Sequence, residues 1–399
     1  MHHIDVEFDD FARSHEALRD FGFDEAFMRS FVELAGPGEE PGRVVEARRG
    51  RFRTVLALPF GDEEPEGGGP PKSGEPARSV REIETIPSGS LAGLPPPVAG
   101  DWVVLRDADG AWGRAVAREV LPRKSAIVRK APGDAAYDKI EAQVLAANAD
   151  AAFIVMAAGR DWNPRRLERY MALVRESGAE PVVVVSKADL ADDAGALRDE
   201  ASSLACGARC VLACAPEGRG LGELSELLGA GRTVVLLGSS GAGKSTLLNA
   251  LAGRELARTS EVRADDQRGR HTTTHRQLFR LPSGGMVIDT PGLRELQLWA
   301  DEESIGLAFP DIEELAASCR FRDCRHQDEP GCAVRAALES GELDEGRYGN
   351  WRKLAREAAF LAMRENGNLQ REEERRWKVI NKSMRGYSKE RRALQGRAR

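Results

Sequence analysis

The chain has 399 residues, of which 41% are hydrophobic, and a net charge of −6. That is enough apolar material for two or three packed cores and too much for a disordered chain. No run of 18 or more apolar residues marks a membrane span, and Met1-His2-His3-Ile4-Asp5 has neither the charged nor the apolar region of a signal peptide. Six cysteines in so long a chain do not make a disulfide scaffold. A cytoplasmic protein without a membrane partner is the expectation. The charge is uneven: from Trp351 to Arg399 there are 15 Lys/Arg against 6 Asp/Glu, so an acidic body carries a basic tail.

Residues 1–40 read as a helical extension, with Phe11, Leu18, Phe21, Phe27, Phe31 and Leu34 at packing positions before Gly36-Pro37-Gly38. Residues 41–132 read as short strands. Stretches 43–45 and 52–56 form a hairpin, and 61–74 is a Pro/Gly/Glu-rich loop. Strands follow at 100–105 and 115–120, with a turn at Asp109-Gly110 between them. Short strands with glycine turns predict a small barrel of the OB-fold type. The basic stretch 123–130 on its rim suits nucleic acid.

From 133 to 298 the pattern turns α/β. A helix is expected over 140–147, a strand over 151–156, a helix over 165–177 and a buried strand over 181–185. That last strand ends in Ser186-Lys187-Ala188-Asp189, close to the N-K-x-D pattern of guanine-binding loops. An Asp carboxylate there accepts from guanine N1–H and N2–H₂, and adenine would leave it unpaired. The Lys187 stem would lie along the base. Ser186 stands where Asn is usual, so the amide that braces the loop is missing. A strand over 209–213 follows. Cys214 stands where the guanine loop usually has Ser, so only backbone contact is expected from it. Cys206, Cys210 and Cys214 read as small apolar residues.

The run Gly238-Ser239-Ser240-Gly241-Ala242-Gly243-Lys244-Ser245-Thr246 fits G-x-x-x-x-G-K-[ST] without mismatch, between an apolar strand at 233–237 and a helix that stops at Gly253. Backbone N–H groups there cradle phosphates at a helix N-terminus, Lys244 reaches the β- and γ-phosphates, and the Ser245 hydroxyl sits on Mg²⁺. Downstream, 255–268 is polar and reads as a switch loop, leading to Gly269-Arg270-His271-Thr272-Thr273-Thr274-His275. Thr272 or Thr273 supplies a second Mg²⁺ ligand. The strand at 286–288 runs into Asp289-Thr290-Pro291-Gly292, placing Asp289 near Mg²⁺ and the Gly292 N–H near the γ-phosphate. Leu293 occupies the position where many GTPases carry a water-orienting Gln, and His271 is the nearest substitute.

The order is the unusual fact. The guanine loop at 186 precedes the P-loop at 238, whereas a conventional small GTPase has it last. A doubly wound sheet tolerates such a circular permutation because its strand ends stay in place. An ABC-type ATPase is disfavoured: the echo of its signature at Ser283-Gly284-Gly285 lies too close to Asp289. Beyond this domain, Cys319-x₄-Cys324-x-His326-x₅-Cys332 offers three thiolates and an imidazole, a closed tetrahedral set suited to one structural zinc. The zinc-binding domain spans 299–365, with helices expected over 333–338 and 347–364. The tail at 366–399 is basic, with 8 Lys/Arg and one Glu from Lys378 onward.

The motif order, together with 269–274, Asp289-Thr290-Pro291-Gly292-Leu293-Arg294-Glu295-Leu296 and the Cys/His cluster, resembles the circularly permuted ribosome small-subunit-dependent GTPase family, RsgA/YjeQ, over roughly residues 40 to 340. The resemblance implies a multidomain α/β protein: an N-terminal OB-fold barrel, a central circularly permuted P-loop GTPase and a C-terminal zinc-binding helical domain. It implies Mg²⁺-dependent GTP hydrolysis late in small-subunit maturation, with the subunit and its rRNA as partners, GTP and GDP as ligands, and a monomeric chain. The alternative is an RNA-binding module that uses GTP as a structural switch without significant turnover.

Overall fold

The computed structural model describes residues 11, 14–48, 50–57, 80–92, 94–108, 114–130, 142–257, 276–290 and 301–362. The expected loop at 61–74, the turn at Asp109-Gly110, the switch residues 258–275, residues 291–293 and the tail from Lys378 lie outside them.

Among the described residues the N-terminal extension includes helices Glu16–Arg19 and Glu25–Leu34, where the sequence suggested one helical segment. Gly22 separates them. Its φ is +79°, and a Cβ there would lie 2.8 Å from the Gly231 carbonyl oxygen, so the close approach selects glycine. Asp24 caps the second helix by accepting from the N–H groups of Ala26 and Phe27. Phe23 and Phe27 then stack toward Trp102, with ring centroids 4.7 and 5.9 Å away.

Trp102 belongs to a five-stranded OB-like barrel. Strand β1 (Glu40–Arg48) pairs with β2 (Arg51–Ala57), and β2 with β3 (Val80–Pro87). Strand β3 runs parallel to β5 (Ala115–Val120), which pairs with β4 (Trp102–Arg106), and β4 closes on β1. Val44, Phe52, Leu56, Ile83, Val103 and Leu105 fill the interior. The sequence reading did not assign β3, where only Ile83 and Thr85 are buried.

The helix expected over 140–147 is corrected in its described part: residues 142–147 form a strand, β7 (Ala142–Ala147), antiparallel to β6 (Ala126–Lys130). Alanine-rich sequence favours helix locally. Burial of Leu145, Ala146 and Ala147, and the Ala147 N–H donated to the Ala99 carbonyl, override that preference.

The remaining strands form the nucleotide-domain sheet. In spatial order β10 (Arg209–Leu212), β9 (Glu180–Ser186), β8 (Ala151–Ala157), β11 (Thr233–Leu237) and β13 (Met286–Asp289) are parallel. Strand β12 (Arg276–Arg280) is antiparallel to β13 and pairs on its other side with β1, through Glu46↔Gln277 and Ala47↔Arg276. Alternate residues cover both faces. Ile154, Met156, Val183 and Val185 pack with Leu167 and Met171 of helix Pro164–Ser177. Phe153, Val155, Val182 and Val184 pack with Leu224, Leu247 and Leu248 of helices Leu221–Leu227 and Lys244–Ala252. The sheet is therefore doubly wound.

Arg43 of β1 joins three parts of the chain. Its buried guanidinium donates to the Phe21 carbonyl, to the Asn148 carbonyl at 3.2 Å and to Thr233 Oγ1 at 2.8 Å. Burial brings its pKa down to about 10, against the pull of Asp150 and Asp101.

Beyond the sheet, helices Glu302–Ala308, Pro310–Ala317 and Ala333–Ser340 are followed by a helix over 345–362. This C-terminal module docks on helix Pro164–Ser177. The wholly buried Glu168 accepts from Arg165 (2.7 Å), Arg347 (2.9 Å) and Asn350 (2.6 Å), and Arg169 forks onto Glu357. No described helix is long and apolar enough to cross a membrane.

Candidate nucleotide and metal sites

The P-loop leaves the end of β11 and enters helix Lys244–Ala252. Gly238 has φ +144°, and a Cβ there would meet the Val155 carbonyl oxygen at 2.3 Å. Only glycine lets the loop cross β8 so closely. Lys244 Nζ donates to the carbonyls of Gly238 (2.8 Å) and Ser239 (2.7 Å), the rim of the same loop. Burial lowers the Lys244 pKa, while Asp289 and Asp161 pull it up. Asp289 ends β13 beside it. Burial raises that carboxyl, and Lys244 and the Thr290 N–H oppose the rise. The Thr290 hydroxyl donates to the Leu236 carbonyl at 2.6 Å, tying the start of D-x-x-G to β11.

The guanine-type loop lies against the P-loop. The Ser186 hydroxyl donates to the Ala242 carbonyl of the P-loop at 2.5 Å and reaches the Met156 carbonyl at 3.3 Å. The sequence suggested that replacing Asn with Ser removes the brace of this loop. Instead the short hydroxyl makes the brace, because β9 brings its backbone close to Ala242. Lys187 adopts φ +53°, which turns the chain into Ala188–Leu190 and leaves Asp189 exposed. The Ala188 N–H donates to the Ala213 carbonyl at 3.2 Å. Cys214 also does more than its backbone promised: its buried thiol donates to Asp189 Oδ1 at 3.1 Å. Burial, then Asp189, raises that thiol's pKa. Cys206 and Cys210 are only half-buried, so the small apolar reading describes Cys214 better than its neighbours.

A third wall was not legible from motifs. After β8 the turn Gly159–Asp161 passes between the guanine loop and the P-loop, and Asp161 accepts from Ser239 Oγ at 2.8 Å. Strands β8, β9, β11 and β13 thus all end at one place, the usual crevice of a doubly wound sheet. Ser186, Lys187, Ala188, Asp189, the P-loop from Gly238 to Thr246 and Asp289 gather there. His271, Thr272, Thr273 and Gly292 lie outside the described residues.

Cys319, Cys324, His326 and Cys332 bring four ligand atoms within 4.8 Å of one another. His326 Nδ1 lies 3.6 Å from Cys319 Sγ and 3.5 Å from Cys332 Sγ, and the two sulfurs are 3.9 Å apart. A tetrahedron with metal–sulfur bonds of ~2.3 Å and a metal–nitrogen bond of ~2.0 Å has edges of about 3.5–3.8 Å. The donor set therefore fits a metal ion. The Arg335 N–H points at Cys332 Sγ (3.4 Å), and the Tyr348 hydroxyl holds the His326 carbonyl at 3.0 Å. Among the described residues, no other such group of His, Cys, Asp and Glu gathers.

A P-loop, a guanine-type loop that precedes it in the chain, and a strand ending in Asp289 define a circularly permuted P-loop GTPase carrying an OB-like barrel and a Cys₃His module. Comparison with known proteins agrees. Residues 120–299 match the family model described as RsgA GTPase. The chain is 49% identical over 297 residues to the small ribosomal subunit biogenesis GTPase RsgA of Opitutus terrae, covering 72% of this chain and 80% of that one. It is 46% identical over 336 residues to the protein of the same name from Xanthomonas axonopodis pv. citri, covering 83% and 84%. Among solved structures it is similar to YjeQ from Thermotoga maritima, with a TM-score of 0.56 and 27% identity over 80% of this chain and 99% of that one. The chain belongs to the RsgA GTPase family.

Proposed function

We propose that this protein is a Mg²⁺-dependent GTP hydrolase that binds the small ribosomal subunit and assists its late maturation, the subunit stimulating hydrolysis. The observation that supports the reading is the Ser186–Ala242 hydrogen bond, which ties the Ser186–Asp189 loop to the P-loop across a permuted chain. In this reading Asp189 accepts from the guanine edge and Lys187 covers its face. Gly238, Ser239, Ser240, Gly241, Ala242, Gly243 and Thr246 line the phosphates with Lys244, and Gly292 offers its N–H to the γ-phosphate. Ser245, Asp289 and one of Thr272 or Thr273 would hold Mg²⁺, which neutralises charge between the β- and γ-phosphates. Lys244 leaves the Gly238 and Ser239 carbonyls to meet the triphosphate, and His271 orients water.

The Cys₃His set takes one zinc, whose role is structural because no ligand position stays open. The domains run 1–40, 41–132, 133–298, 299–365 and 366–399. The barrel rim and basic tail face rRNA, and the chain works in the cytoplasm as a monomer. The names of the relatives support the subunit as partner.

The test is turnover of GTP and of ATP, each with and without purified small subunits. GTP-selective turnover that rises on adding subunits is expected. Tight GTP binding with no turnover under either condition would favour a non-catalytic RNA-binding switch, and equal use of ATP would remove the guanine assignment.

A further inference from the structure

The turn after β8 meets the P-loop at one point. Ser239, the first residue after Gly238, donates its hydroxyl to Asp161 Oδ2 at 2.8 Å, and Arg166 donates to Oδ1 at 2.9 Å. Both carboxylate oxygens are therefore oriented. The turn itself is tied at both ends. The Ala158 N–H donates to the Ser186 carbonyl at 2.8 Å, and the Trp162 indole to Glu200 at 3.1 Å. Asn163 caps helix Pro164–Ser177 through the Arg166 N–H. Asp161 thus belongs to a rigid frame, whereas Ser239 sits in a loop that has no regular secondary structure of its own.

We propose that Asp161 is a positioning residue for the P-loop: it holds Ser239, and through Ser239 it sets the nucleotide affinity of the site. The proposal rests on the reading of 238–246 as the phosphate cradle. The connection runs one step further, because the Ser239 carbonyl is one of the two oxygens that receive Lys244 Nζ. Asp161 therefore fixes a residue that also holds Lys244. A cradle held in its bound shape loses less conformational freedom when nucleotide enters. The negative charge of Asp161 has the opposite influence. It lies close enough to Lys244 to favour the protonated amine, and it repels the incoming phosphates. The Ser239 bond and the charge can be separated, since an Asn side chain keeps one acceptor oxygen for Ser239 while it gives up the charge and the acceptor facing Arg166.

The experiment measures GDP and GTP dissociation constants of the full chain by fluorescent-nucleotide titration, with melting temperature alongside. Asp161→Ala and Ser239→Ala should each weaken binding about five- to tenfold, the scale of one lost hydrogen bond that is partly open to solvent. The double variant should be no weaker than either single, because one bond is removed twice. Asp161→Asn should return affinity to within about twofold of the parent chain or tighter, and all variants should melt with the parent. The proposal is overturned if Asp161→Ala binds within twofold of the parent. It is also overturned if Asp161→Asn is as weak as Asp161→Ala, if the two single losses add, or if melting falls in step with affinity. A parent chain that binds no GTP would instead sink the nucleotide-site reading itself.

Discussion

The nucleotide pocket and the metal-binding knuckle are built in opposite ways. The pocket draws its walls from residues far apart in sequence, Asp161, Ser186, Asp189, Lys244 and Asp289, and a buried parallel sheet brings them together. Its loops are already tied to each other by Ser186–Ala242, Asp161–Ser239, Cys214–Asp189 and Thr290–Leu236. The knuckle takes all four ligands from one 14-residue stretch, and its neighbours Val334, Ala337, Tyr348 and Leu354 pack it on the same core that supports the sheet. The pocket stands on the core that covers both faces of the sheet. In the knuckle, three thiols and an imidazole crowd within 4.8 Å of one another, a local arrangement that a bound metal would hold together.

The largest effect expected from this difference is metal loss. Cys332→Ser should abolish stoichiometric zinc and expose residues 301–362 to protease, read by metal analysis and limited proteolysis. Guanine nucleotide affinity should meanwhile stay within about threefold of the parent. A collapse of affinity on metal removal would break the comparison, since the pocket would then depend on the knuckle. Next in size is Asp189→Asn. It should cost roughly 1–3 kcal/mol of GTP binding through an unpaired donor edge and turn preference toward xanthosine triphosphate, whose C2 carbonyl accepts from an amide. Competition titration with the two nucleotides decides this, and unchanged GTP preference would remove Asp189 from the base.

A third variant tests the seam between the two regions. Burial pushes the Asp311 carboxyl up, but the Arg347 hydrogen bonds and charge outweigh it and hold the carboxyl below its ordinary value. A carboxyl lowered in the folded state adds stability that is complete above its unfolded pKa and disappears as pH falls through the folded value. The parent should therefore lose melting temperature below about pH 4. Arg347→Met should start lower by about 2 kcal/mol, having left the buried Glu168 with Arg165 as its remaining cation, and should show a flatter acid limb. Parallel acid limbs for the two proteins would show that the pair does not carry the pH dependence. The smallest effect belongs to Cys214. Replacing it with Ser keeps a donor to Asp189 and should change GTP affinity less than about twofold, whereas Ala should weaken it by about 1 kcal/mol. Equal affinities for Ser and Ala would show that the thiol does not orient Asp189.

The contrast also explains what could be read before the fold was known. The P-loop, D-T-P-G and the four metal ligands are legible because their chemistry is local: spacing along a few residues fixes the geometry. The permutation followed from motif order alone. At Ser186 the sequence shows the missing amide but not the closeness of β9 to Ala242, which lets a hydroxyl bridge the two loops. Asp161 carries no motif. Its partner Ser239 is 78 residues away, and only the parallel pairing of β8 with β11 joins them. The strand β7 was hidden by alanine, whose helical preference yields to pairing with β6. The barrel strand β3 has only two buried residues, too few for an alternation to announce it.

The two-residue ladder between β12 and β1 has a further consequence. A parallel sheet that ends in an antiparallel strand presents a row of unsatisfied N–H and C=O groups on its free side, a template for another chain. Here the barrel occupies that side through Glu46↔Gln277 and Ala47↔Arg276. The barrel is thus an edge guard for the nucleotide domain as well as a module in its own right. Separating the two would leave β12 open to intermolecular pairing, so the permuted domain is expected to be soluble with its barrel attached and to self-associate without it.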